Sequence, residues 1–128
     1  MKDIVIKTIP IEEQRYSTAG DYWHEDNSIE FRITKQAKED TEFLIAVHEF
    51  VEEYLTRRSG IDEKMILAYD LNWEKRHHKG LTKAEEPGEE QDCPYREQHV
   101  VSLIIEGLLA THMGIDFDKH NDEIIYQQ

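Results

Sequence analysis

Apolar and polar positions follow two different rhythms along this chain, a short alternation near the N-terminus and a helical spacing from about residue 40 onward. Asp3 to Ile9 partly alternates and stops at Pro10, as a half-buried strand does. Asp21 to His24 and Ile29 to Ile33 flank the polar stretch Glu25 to Ser28, which suits a hairpin turn and leaves Ile29, Phe31 and Ile33 on one face. A small antiparallel sheet is expected.

From Asp40 the period becomes 3.6, with Phe43, Val47, Phe50 and Tyr54 recurring and Leu44, Val51 and Leu55 beside them. This predicts a long, well-buried helix, capped by Asp40 or Thr41 and closed by Arg57, Arg58 and Gly60. Ile61 to Trp73 predicts a shorter helix on an apolar face of Ile66, Leu67 and Leu71. Residues 75–92 hold Gly80, Pro87, Gly88 and the acids Glu85, Glu86, Glu89, Glu90 and Asp92, so they read as a flexible acidic loop. A second strong helix begins near Asp92 or Pro94 and ends at Gly114. Its centre, Val100 to Ala110, is apolar on all sides and predicts burial against several neighbours. The expected fold is a single α+β domain over residues 1–128, a small antiparallel sheet packed against two long helices.

Charge and composition narrow the partners. A net charge of −13 repels phosphate backbones and anionic lipid, which argues against nucleic-acid and membrane-surface binding. The one dense basic stretch, Lys75 to Lys79, lies beside the acidic segment that cancels its field. The single cysteine, Cys93, has no partner for an internal disulfide, and no apolar run is long enough for a signal peptide or a membrane span. A cytoplasmic location is expected.

The chemistry concentrates on the first long helix. His48 and Glu52 are four residues apart and therefore share a face, so both side chains can reach one ion. Flanked by Leu44, Val51 and Leu55, the pair sits at the edge of the core, where an unpaired carboxylate is costly. The segment His48-Glu49-Phe50-Val51-Glu52 resembles the active helix of the zincin metallopeptidases, with glutamate in place of the second histidine of the HExxH motif. The small sheet before the helix is similar to the minimal zincin arrangement. The resemblance covers about a third of the chain. It implies a divalent metal, zinc, held by His48 and Glu52, with Glu49 as the base that takes a proton from a water whose pKa zinc lowers to about 7. His99 and, seven residues on, Glu106 are the further ligand candidates on the second strong helix. Glu106 lies in an apolar stretch and needs a partner there: the metal, His48 or an arginine. His112 suits a helix C-terminus, His77 and His78 suit solvent, and the pattern assigns no partner to His24 or His120.

Two other readings fit the same residues less well. A helical nucleotide pyrophosphatase holds magnesium on paired glutamates, and Glu49, Glu52 and Glu53 with Glu97 and Glu106 resemble that set, but its EExxE and ExxD spacing is absent and its fold lacks strands. A non-enzymatic acidic accessory protein, of phage or plasmid type, would use the charge to hold a basic protein partner. No motif specifies a substrate or an oligomeric state.

Overall fold

The structure, a computed structural model, describes residues 2–126. Three strands, β1 (Asp3–Ile9), β2 (Gly20–His24) and β3 (Ser28–Thr34), precede four helices, α1 (Glu39–Arg58), α2 (Glu63–His78), α3 (Arg96–His112) and α4 (Phe117–Glu123). The fold is α+β. β3 is the central strand because its alternating Ile29, Phe31 and Ile33 all turn inward and are almost completely buried. β2 pairs with it antiparallel, Tyr22 opposite Phe31, as the hairpin pattern requires.

β1 departs from expectation by pairing parallel to β3, with Ile6 opposite Phe31, so the sheet is mixed rather than antiparallel. The reason lies in the connection. Residues 10–19 are long enough to carry the chain past β3, which sets β2 on the far edge and leaves β3 between the other two strands. Alternation within a strand marks its buried face and says nothing about the direction of its neighbour.

α1 packs on β2 and β3 with one side and on α3 with another. Its C-terminal end follows the sequence, with arginines in the last turn and Gly60 turning out with φ of 76°. The N-terminus is not capped by Asp40 or Thr41: the helix starts at Glu39 with Lys38 at the cap position and no side-chain cap, so both residues lie inside the first turn, where acids suit the positive end of the helix dipole. The buried face does not follow. Thr41, Leu44, Ile45, His48, Glu52 and Thr56 point inward, whereas Phe43, Phe50 and Tyr54 are exposed. α3 behaves likewise, burying His99, Ser102, Glu106 and Ala110 and exposing Val100, Val101, Ile104 and Leu108. Both helices are therefore less buried than their apolar content predicts, because a polar cluster takes the inward positions.

α2 runs to His78, so residues 75–78 are helix rather than loop. Asp62 caps it by accepting from the Lys64 amide at 2.8 Å, and His77 stacks on Trp73 with centroids 4.4 Å apart. The acidic segment that follows is held at Glu90, whose carboxylate accepts from the Lys83 and Ala84 amides and from the Trp73 indole. A short 3-10 turn, Pro87–Glu89, then lays the segment on α3. Among the described residues no single helix is long and apolar enough to cross a membrane.

Candidate metal centre

α1 and α3 lie side by side, which brings the one-turn pair on α1 against the first turn of α3. His48 Nε2, Glu52 Oε2 and His99 Nδ1 meet there. The separations are 3.1 Å from His48 to Glu52, 3.1 Å from His48 to His99 and 2.9 Å from His99 to Glu52. All three side chains are buried. A His/Glu/His cluster of this kind can hold a metal ion.

The other ends of His48 and Glu52 are occupied. His48 Nδ1 lies 2.9 Å from Glu106 Oε1, and because a carboxylate only accepts, that nitrogen carries the proton and donates it. Tyr22 donates its hydroxyl to Glu52 Oε1 at 3.2 Å. In a neutral His48 ring, Nε2 then presents a lone pair to Glu52 Oε2, and two acceptors 3.1 Å apart repel unless positive charge lies between them. Protons supply that charge in the metal-free protein. Burial opposes the cation on His48, but its bonds to Glu106 and Glu52 raise its pKa well above the usual histidine value. Burial opposes the cation on His99 too, and the bond to Glu52 together with the nearby carboxylate of Glu86 carries it up to about 9. Glu52 is held down at about 2, burial working against its charge and the two histidines prevailing.

A metal ion can replace those protons. A tetrahedral ion about 2.0–2.1 Å from each donor sets its ligands about 3.3 Å apart, so an opening of the triangle by about 0.3 Å would admit one. The donor set fits the ion.

Glu106 stands behind this triangle. Its Oε1 faces His48 and its Oε2 lies 2.6 Å from His120 Nε2, so both oxygens are already engaged in the core. Burial opposes its charge, and the bonds from His120 and His48 hold its carboxyl below the usual range. His120 is the residue that sequence reasoning left without a partner. α4 supplies it: Asp116 caps that helix through the Lys119 amide, and Phe117 packs over Gly107 of α3. The need of Glu106 for a cation was the only signal in the sequence, and it names no particular histidine.

His99 has a second contact that the sequence did not reveal. Glu86 Oε2 lies 3.3 Å from its Nε2, yet that nitrogen makes no hydrogen bond among the described residues because the geometry is unfavourable. Gly88 explains the approach. A Cβ there would fall on the His99 ring, so only glycine lets the acidic segment lie this close.

Beside the triangle opens a cavity of about 170 Å³, lined in part by Tyr16, Gly20, Glu49, Asp70, Trp73 and Glu86. Glu49 enters it from α1, one residue beyond His48, and its carboxylate has no hydrogen-bond partner among the described residues. Gly20 makes room for it, since a Cβ at that position would lie 2.6 Å from Glu49 Cγ. Burial, then the neighbouring charge of Glu52, raises the Glu49 carboxyl well above the ordinary range. Asp70 closes another wall by accepting from the hydroxyls of Tyr16 and Tyr95, and burial pushes its carboxyl up to about 7 against the pull of those bonds. Tyr16, Asp70 and Tyr95 were not legible as site residues, since nothing in their spacing links them.

Comparison with protein-family models, with curated proteins and with solved structures finds no match.

Proposed function

We propose that this chain is a zinc-binding protein of zincin-like type that hydrolyses a substrate lodged in the cavity over α1. His48, Glu52 and His99 serve as ligands, and Glu49 as general base. What supports the reading is the convergence of three buried donor atoms within 3.1 Å of one another. Two imidazoles in the set favour zinc over magnesium, which prefers oxygen ligands and retained water. Zinc, when bound, supplies a Lewis acid.

The protein's own groups do the rest. Glu106 is a positioning residue in this reading, since His48 and His120 take both its oxygens and it fixes the tautomer of His48. In this reading Glu49, which lines the cavity, accepts a proton from water there and delivers it to a leaving group; burial and the neighbouring charge of Glu52 raise its carboxyl above the ordinary range and so increase its proton affinity.

Calorimetric titration of chelator-treated protein tests the reading. One zinc per chain, no uptake of magnesium and loss of zinc binding in Glu52→Ala are expected. Glu49→Gln should bind zinc as wild type does and lose turnover of a peptide or ester library by about 10²–10⁴-fold. Zinc binding unchanged by Glu52→Ala would overturn the ligand assignment, and unchanged turnover in Glu49→Gln the assignment of the base.

A further inference from the structure

His99 has two ring nitrogens, and the ligand triangle uses one of them. Nδ1 lies 2.9 Å from Glu52 Oε2 and 3.1 Å from His48 Nε2. Nε2 points the other way and is buried, yet it makes no hydrogen bond among the described residues. A metal-bound histidine ordinarily donates its second N–H to a carboxylate or carbonyl, which fixes the ring. Here Glu86 Oε2 stands 3.3 Å away but off the line on which a proton is shared.

A metal ion has the opposite requirement. A proton joins two atoms in a nearly straight line, whereas a tetrahedral ion about 2.0–2.1 Å from each donor holds them at an angle and about 3.3 Å apart. The His99–Glu86 pair has that separation and is too bent for a hydrogen bond. A third donor lies close by. Glu86 precedes the turn Pro87–Glu89 and Glu89 ends it, three residues apart and so on one side. One oxygen of each lies within 4.8 Å of the other and of a His99 ring nitrogen. The turn is held in place from both flanks: Gly88 lies where a Cβ would strike the His99 ring, and Glu90 accepts from the Lys83 and Ala84 amides and the Trp73 indole. Among the described residues every lysine or arginine ion pair lies elsewhere, so these two carboxylates meet without a fixed cation between them.

We propose that His99 bridges two metal ions, the zinc of the triangle on Nδ1 and a second zinc on Nε2 whose other ligands are Glu86, Glu89 and water. The bridge rests on the zinc reading given above, since it needs an ion on Nδ1. His99 then binds as an imidazolate: each ring nitrogen gives its proton to solvent and donates a lone pair to one ion. The two ions lie about 6 Å apart, two metal–nitrogen bonds plus the width of the ring. That is too far to clamp one water between them, as metals about 3.5–4 Å apart do. The second ion therefore fastens rather than hydrolyses: it pins the acidic segment, whose Glu85, Glu86 and Gly88 line the cavity, against α3. Its carboxylates are solvent-accessible and it must displace a further proton, so it binds more weakly than the single tight zinc and fills only when zinc is in excess.

Zinc titration of the full chain against a chromogenic chelator tests this, with wild type beside Glu52→Ala and the double variant Glu86→Gln, Glu89→Gln. Wild type should take up a second, weaker zinc that the double variant loses while keeping the first. Excess zinc should protect residues 79–92 from trypsin in wild type and not in the double variant. Copper(II) in place of zinc reads the bridge itself: two ions on one imidazolate couple through the ring, so the doubly loaded wild type should give a paramagnetic resonance signal well below that of two isolated ions. A wild type that stops at one zinc, lost in Glu52→Ala, overturns the bridge and leaves the triangle standing. A single zinc that Glu52→Ala keeps and the double variant loses places the ion at the acidic turn and overturns both readings, as does a wild type that binds none. A second zinc retained by the double variant, or a copper signal at full intensity, overturns the bridge at His99.

Discussion

Glu106 carries two histidines in the core at once, and the consequences of losing either differ. Glu106→Gln keeps the shape but removes the charge that holds His48 Nδ1–H and His120, so the ligand triangle survives with weaker orientation. Metal affinity should fall about 10–100-fold, as for other groups that hold a ligand from behind, in competition against a chromogenic chelator. His120→Ala instead leaves Glu106 Oε2 without its partner in the interior. That should cost about 3–5 kcal/mol of stability in urea unfolding.

His99 sets a pH dependence at the same scale. Its pKa in the metal-free fold is about 9, against about 6.5 for a free side chain. A raised pKa stabilises the fold fully below about 6.5, and that contribution disappears as pH rises through about 9. Metal-free protein should therefore lose stability between those values. Metal must displace the proton, so apparent zinc affinity should keep rising up to about pH 9 and should not level off near 6.5. Thermal unfolding with and without zinc across this range checks both statements.

At the scale of elements, the helix pair α1 and α3 and the acidic segment share one device: a glycine that lets a side chain lie against backbone. Gly88→Ala should push the acidic segment off His99, exposing residues 79–92 to proteolysis and weakening metal binding without unfolding the helices. Gly20→Ala displaces Glu49 rather than a ligand, so zinc binding should remain while turnover falls. Limited proteolysis and zinc titration of the two variants separate these outcomes.

The elements were legible to different depths. β2, β3 and the C-terminal ends of α1 and α3 follow from alternation, helical spacing and glycine stops, because those signals are local, whereas neither N-terminus uses the cap its sequence suggests: Lys38 and Tyr95 hold those positions without a side-chain bond. The inward faces of α1 and α3 were misjudged from hydrophobicity: Phe43, Phe50 and Leu108 are apolar yet exposed, while His48, Glu52 and Glu106 are polar yet buried. A cluster whose charges satisfy one another can occupy a core, and single-residue hydropathy does not register such pairing. That His48, Glu52 and His99 come together was nevertheless legible, since His48 and Glu52 are one turn apart on α1 and His99 sits on the inward face of α3, whereas Glu106, expected as a further ligand, stands behind the triangle with both oxygens taken by His48 and His120. His120, Glu86 and Asp70 arrive from other elements, and only tertiary structure brings them there.

For the whole molecule, the inside-out distribution of polarity links stability to the centre. Ile29, Phe31, Ile33 and Leu44 are the most deeply buried large apolar side chains, a second apolar cluster forms at Ile66, Cys93 and Tyr95, and histidines and carboxylates share the interior with them. An ion that binds the folded chain alone stabilises it by mass action, about 2.7 kcal/mol at a hundredfold excess over its dissociation constant. Zinc should accordingly raise the melting temperature, and chelator should lower it reversibly.

Metal content of purified, untagged protein by plasma mass spectrometry tests the central claim most directly, with His48→Ala and His99→Ala measured beside wild type. The account predicts near-stoichiometric zinc in wild type and loss of it in both variants. Wild-type protein that holds no zinc even after zinc is supplied, or variants that retain it, would contradict the assignment of His48, Glu52 and His99 as a metal centre.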